Sequence, residues 1–402
     1  MKNILLRLKR FCGFITGFVF FISGIVKLLD PTGAGLVMEE YFRFLHIGFM
    51  DFTAGFLGVT IALAETLIGA ALITGIWKKA IALTACAMQG FFTLLTLALV
   101  IFNPEMDCGC FGEAIHLTHM ETFIKNIIIC ALLATYTIPP RHLHEAMKKK
   151  FVSFGIVTVS VLAFTIYSLL YIPLVDFTAY KPGAILDCVE NESEGELYEA
   201  VFIYEKDGIQ EKFTLGHLPD STWTFVTTET IMKEGAEDAG ISLPIRNASG
   251  EYSDELAGEG KVMVISIYDT DIKAARWNRI ATFADNAAKA GFTPLVLVSC
   301  TPDEAMTATE KLSDETKAKL YRHLYFSDYK TLITTNRSNG GATYFSRGYL
   351  VRKWAFRALP DTNSLEATFD ESSTSVTIEK ETRGSLTFQG FLLYVFAVML
   401  LL

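Results

Sequence analysis

Apolar positions gather into long blocks towards the two ends of the chain. Phe11–Leu29, Phe52–Gly75, Ala80–Phe102, Phe123–Ile138 and Phe151–Ile172 each run near or above the ~17–25 residues a membrane-spanning helix needs, with few charges inside. A last block, Leu386–Leu402, sits at the short end of that range. The pattern predicts an α-helical membrane bundle: a four-helix core over 1–140, a fifth transmembrane helix and linker over 141–172, and a C-terminal transmembrane helix over 386–402. The first block follows Lys2, Arg7, Lys9 and Arg10, as in a secretory signal. Its apolar stretch is too long for one, and no small-x-small cleavage pattern precedes Lys27, so it reads as a retained helix.

Between the blocks the period shortens. Over 173–260 the chain reads as a β-rich lead-in, with "YEAVFIYEKDGIQEKFTL" predicting a hairpin around Asp207-Gly208 and "STWTFVTTET" another strand. Over 261–385, "GKVMVISIYD" and "FTPLVLVS" are continuous apolar runs typical of buried strands. Helical stretches follow each of them, Ala274–Gly291 and "DEAMTATEKLSDETKAKLYRH", and "ATYFSRGYLVRKWA" closes as a hairpin on Arg347-Gly348. The order β-α-β-α-β-β resembles a thioredoxin-like α/β soluble domain. The chemistry of that fold is missing: "YDTDIKAAR" stands where a Cys-x-x-Cys belongs, and Ala342 where a cis-proline is expected. Cys300 follows the second strand without a nearby partner in sequence and reads as a small strand-end residue.

Charge orients the bundle. The N-terminus and the second and fourth connections hold ten Lys and Arg against one, Arg43, in the first and third. Positive residues favour the cytoplasmic side. The expectation is a cytoplasmic (inner) membrane protein whose third connection and residues 173–385 are extracytoplasmic. Residues 1–172 carry net +3 and residues 173–402 net −12. So acidic an outer domain argues against nucleic acid as a partner. Membrane lipid and an extracytoplasmic protein are the partners expected.

The third connection, "NPEMDCGCFG", is the one short segment that brings two of the seven cysteines together. Cys108 and Cys110 flank Gly109, which frees the backbone to bend, between Pro104 and Gly112. A disulfide closed across so small a ring is strained, and a strained disulfide is the more oxidising kind. An exposed pair beside the membrane suits thiol–disulfide exchange, one sulfur attacking and the other resolving. Asp107 would raise its neighbour's pKa and a following helix N-terminus would lower one, which favours Cys110 as the reactive thiolate. A quinone between the helices is the candidate electron acceptor at this depth. Two intramembrane polar residues accompany the pair: Lys27, a turn before Asp30-Pro31 and placed to snorkel outward, and Glu65, well inside the second block. They are potential partners. Ser23 and Gly24 read as small residues for close helix packing, and Glu121 and Lys125 as a surface pair.

The segments "FISGIVKLLDP", "LAETLIGAALITG" and "DCGCFG" together resemble the DoxX-like membrane proteins, and within them the MauE group. The resemblance covers about residues 11–138. It implies a small helical membrane protein tied to redox chemistry, since members include a subunit of a thiosulfate–quinone oxidoreductase and a maturation factor for a disulfide-rich amine dehydrogenase. Two other readings stand beside thiol redox. In one, the cysteine pair is structural and the chain is a non-catalytic assembly or partner-docking protein. In the other, Cys108, Cys110, His116 and His119 supply a metal site of unusual spacing.

Overall fold

The computed structural model describes all residues except 1, 107, 116, 139–147, 191–197, 207–208, 215–222 and 233–239. The chain divides into two compact units. One comprises Met1–Thr178, Ala355–Ala358 and Glu381–Leu402, the other Ala179–Trp354 and Leu359–Lys380.

The first unit is helical. Its elements are α1 (Lys2–Leu29), α2 (Pro31–Phe44), α3 (Ala54–Thr74), α4 (Lys78–Phe102), the short strand β1 (Cys110–Glu113), α5 (His119–Thr137) and α6 (Lys148–Leu170). Among the described residues, six segments are long and apolar enough to cross a membrane: Leu6–Leu29, Gly48–Thr74, Lys78–Phe102, His119–Thr137, Lys149–Leu170 and Thr382–Leu401. They fall on the six apolar blocks of the sequence.

Helices α1 and α3 pack through glycine. A Cβ at Gly24 would meet Thr66 Oγ1 and lie 2.6 Å from the Ala62 carbonyl oxygen, and one at Gly69 would lie 2.6 Å from the Gly17 carbonyl oxygen. The absent side chains let the two backbones touch. Phe21, Ile25, Leu28 and Leu29 fill the interior beside them. Helix α2 is not among the elements the apolar blocks predict, because Asp30-Pro31 ends the preceding helix. The pair also starts a helix: the Asp30 carboxylate accepts from Gly33 N at 3.0 Å, and Pro31 occupies the first turn, where its missing N–H costs nothing.

The second unit carries two sheets. After a short helix α7 (Asp187–Glu190), strands β2 (Tyr198–Lys206), β3 (Ile209–Thr214) and β4 (Thr224–Met232) form an antiparallel sheet in the order β3-β2-β4. Lys206 pairs with Ile209, and the Asp207-Gly208 turn between them lies outside the described residues. The larger sheet is built from β5 (Lys261–Ile267), β6 (Thr293–Val298), β7 (Leu324–Phe326), β8 (Gly341–Ser346) and β9 (Tyr349–Trp354), in the order β7-β6-β5-β8-β9. The first three are parallel, and the β8–β9 hairpin joins antiparallel to β5. Helix α8 (Ala274–Lys289) connects β5 to β6, burying Trp277, Ile280, Ala281 and Ala284. Val262, Val264, Leu295, Leu297, Phe345 and Leu350 form the core beside the sheet.

The single helical stretch expected after β6 is two helices, α9 (Pro302–Thr309) and α10 (Asp314–Tyr321), because each has its own start signal. Thr301 and Glu304 form a capping box, and the Ser313 hydroxyl accepts from Thr316 N. Helix α11 (Tyr329–Thr335) precedes the hairpin, which turns on Arg347 and Gly348, at φ 50° and 77°. Two consecutive positive φ values match the right-handed twist of the flanking strands. Helix α12 (Thr362–Asp370) follows, and α13 (Ser373–Leu401) returns to the first unit, where Phe391 and Tyr394 stack on Phe164 and the Tyr394 hydroxyl meets Ser160 Oγ at 3.1 Å.

Candidate functional site

Helix α1 presents Ser23 and Lys27 one turn apart, on the side that faces Glu65 of α3. Lys27 Nζ lies 2.6 Å from Glu65 Oε2, with the two side chains only 12% and 5% exposed. Lys27 therefore does not snorkel outward. An unpaired carboxylate this deep costs several kcal/mol, and the ammonium beside it removes most of that penalty. Ser23 Oγ sits among three groups. It accepts from Lys27 Nζ at 3.3 Å, lies 3.2 Å from Glu65 Oε2, and donates to the Cys110 carbonyl oxygen at 2.8 Å. One hydroxyl thus joins the ion pair to the cysteine turn.

That turn is not out in water as expected. Cys108 is buried, at 4% exposure, and Cys110 is half-buried at the start of β1; both are thiols. The reason lies in α2. The Tyr41 hydroxyl donates to the Cys108 carbonyl oxygen at 2.6 Å. Burial, then the nearby Cys110, Cys108 and Glu40, raise the Tyr41 hydroxyl well above its ordinary pKa, so it remains a donor. Gly109, at φ 58°, rests on Val37, whose Cβ lies 3.2 Å from where a glycine side chain would begin. Only glycine fits both the left-handed backbone and the contact. Asp107, considered for its effect on the thiols, lies outside the described residues.

These groups wall a cavity of about 410 Å³. Ser23, Lys27, Glu65, Tyr41, Cys108 and Cys110 line it together with Gln89 and Asn126, and Phe20, Phe92, Leu95 and Ile129 supply apolar surface. Gln89 and Asn126 tie α4 to α5: Gln89 Nε2 donates to the Asn126 carbonyl at 3.3 Å, and Asn126 Nδ2 to Thr96 Oγ1 at 3.1 Å. Lys125 also reaches the cavity, its Nζ 4.8 Å from the centre of the Phe111 ring. It does not form the surface pair expected with Glu121, because that carboxylate turns back to accept from Thr118 N at 2.9 Å.

The structure therefore gathers Lys27, Glu65, Cys108 and Cys110 at one place. It does not bring His119 there. The His119 ring nitrogens face Asn103 Oδ1 at 3.3 Å and the Met106 carbonyl at 2.9 Å. His116 lies outside the described residues, and among those described no group of three or more His, Cys, Asp or Glu gathers as a metal site would require. Tyr41 and Asn126 were missed from the sequence, as was the polar role of Ser23. Reading Asp30-Pro31 as a helix start would have exposed α2 and, with it, Tyr41.

In the second unit, the Asn339 side chain binds the backbone that follows β5. Its Oδ1 accepts from Tyr268 N at 3.0 Å and its Nδ2 donates to the Asp269 carbonyl at 2.7 Å. Cys300 is half-buried, its thiol pushed up to about 11 by burial and by Glu304.

Spanning helices around a cavity that carries polar groups define a multi-pass membrane protein. Residues 3–139 match the model of a family described as methylamine utilisation protein MauE, to which the membrane portion is similar. The match spans both cysteines and the Lys27–Glu65 pair. Residues 198–234 match a domain of unknown function (DUF8463). No curated protein and no solved structure matches the chain.

Proposed function

We propose that this protein carries out extracytoplasmic thiol–disulfide exchange through Cys108 and Cys110. The observation that carries the reading is the cavity, which sets both cysteines beside a buried ion pair inside the bundle. Cys110, the less buried, is the sulfur that meets a client, and Cys108 is its resolving partner. In the oxidising direction a client thiolate attacks the Cys108–Cys110 disulfide at Cys110. The resulting mixed disulfide is then resolved by the client's second thiolate. The client leaves with a disulfide, and the pair is left as the two thiols seen here, holding two electrons.

A quinone suits the cavity as the acceptor for those electrons. Its volume is within the range of small-molecule sites, and it combines apolar and aromatic walls with a few convergent polar groups. Phe20, Phe92, Ile129, Tyr41, Lys27 and Gln89, which line the cavity, are the residues that would hold the quinone. The chemistry a quinone supplies is a sink for two electrons and two protons. The Lys27–Glu65 pair, linked to the turn through Ser23, is placed to hold and release protons.

The parallel β5-α8-β6 unit with an antiparallel hairpin beside β5 supports reading the second unit as thioredoxin-like. With Asn339 hydrogen-bonded to the backbone at Tyr268 and Asp269 and no thiol pair there, its role is to bind a client rather than exchange sulfur. The orientation with the cysteine turn and this unit outside the cell rests on the distribution of Lys and Arg.

Thiol trapping in intact cells tests the proposal. A Cys108→Ser variant should accumulate mixed disulfides at Cys110, and the wild-type pair should shift between thiol and disulfide with growth conditions. The burial of Cys108 favours a second reading, a structural pair in a partner-docking protein. A pair fixed in one state that captures no client would establish that reading instead.

A further inference from the structure

Two hydroxyls from different helices grip the two cysteine carbonyls: Tyr41 of α2 on Cys108 at 2.6 Å, and Ser23 of α1 on Cys110 at 2.8 Å. Building on the thiol-redox reading, we propose that Tyr41 and Ser23 are positioning residues that hold the Cys108–Gly109–Cys110 turn in its dithiol shape and so make its disulfide more oxidising.

The argument is geometric. Closing a disulfide between residues two apart requires the two Cα atoms within about 4.4–6.8 Å and the sulfurs turned towards each other. The pair stands here as two separate thiols, and closing so small a ring turns the peptides on either side of Gly109: the Cys108 carbonyl swings directly, and the Cys110 carbonyl, which lies outside the ring, is displaced as its Cα is drawn in. Towards α2 the turn has little room to shift, because an added Cβ at Gly109 would already meet Val37. A carbonyl that swings away leaves its donor. Cys108 and Tyr41 are both buried, so water does not replace the lost bond. The penalty falls on the disulfide and not on the dithiol, which displaces the equilibrium towards thiols.

The experiment is a redox titration of the full-length protein in detergent micelles against mixtures of glutathione and glutathione disulfide. Each turnover forms one Cys108–Cys110 bond and breaks one glutathione disulfide bond, two electrons and two thiol protons passing to two glutathione molecules. The state of the Cys108–Cys110 peptide is read by alkylation and mass spectrometry. Tyr41→Phe and Ser23→Ala should each move the equilibrium about tenfold towards the disulfide, equivalent to about 30 mV. Thr96→Val removes a buried hydroxyl of the same bundle that does not touch the turn, and should leave the midpoint where it is. A wild-type pair that titrates normally while both variants keep its midpoint, or move it the other way, overturns the positioning role alone. A wild-type pair that forms no disulfide across the whole range overturns the thiol-redox reading and this inference together.

Discussion

At the scale of single residues, the Lys27–Glu65 pair makes a sharp demand. Lys27→Met leaves a carboxylate with 5% exposure and no cation beside it, and should destabilise the bundle by about 3–5 kcal/mol. The double change Lys27→Met with Glu65→Leu removes both charges and should recover most of that loss. Denaturation in micelles, followed by circular dichroism, checks both. Cys300 gives a pH-dependent counterpart. Its thiol is raised to about 11, so at neutral pH almost none is thiolate and alkylation is slow. The rate should climb about tenfold per pH unit until it levels near 11. The sign for stability follows: the folded-state pKa lies above the unfolded one, so the contribution is complete below about pH 8.5 and fades as pH rises towards 11. Glu304→Gln should move the labelling curve to lower pH.

At the scale of elements, α2 carries the turn. Gly109→Ala would force a Cβ against Val37 and place alanine in the left-handed region, costing about 2–4 kcal/mol in all. Adding Val37→Ala should return the steric part and leave the backbone part, so the double variant should melt between Gly109→Ala and wild type. This dependence also explains what was legible in the sequence. The spanning helices were plain because each is an uninterrupted apolar run, and lipid tolerates little else. Strands β5, β6 and the β8–β9 hairpin showed through continuous apolar stretches and the Arg347-Gly348 turn. Helix α2 did not show. It lies between two spans, half apolar and half polar, and its start signal, Asp30-Pro31, doubles as the end of α1. Cys108, Cys110, Lys27 and Glu65 could be singled out by type, since charges and paired thiols are rare in such surroundings. Their meeting in one cavity could not be read, because residues as far apart as Ser23 and Cys110, 87 positions along the chain, come together only through helix packing.

At the scale of the whole molecule, the distribution of charge predicts the orientation. Alkaline phosphatase fused after Lys79 should be inactive, and fused after Lys181 active, because the enzyme matures only outside the cytoplasm. The opposite pattern would place the cysteine turn in the reducing compartment and remove the basis for oxidative exchange. The net −12 of residues 173–402 fits a water-exposed domain kept soluble by its own charge.

The contact between α6 and α13 has a consequence for biosynthesis. Phe164 and Ser160 must wait for Phe391 and Tyr394, which leave the ribosome as many as 234 residues later. At about 5–20 residues per second, that is a delay of about 10–45 s. During that interval α6 lies in the bilayer with one flank open to lipid, while the sheets of the second unit are still being made. A chain released early, before Thr382, would carry the sheets of the second unit yet lack the span Thr382–Leu401, and quality-control proteases of the membrane would meet it with that seam exposed.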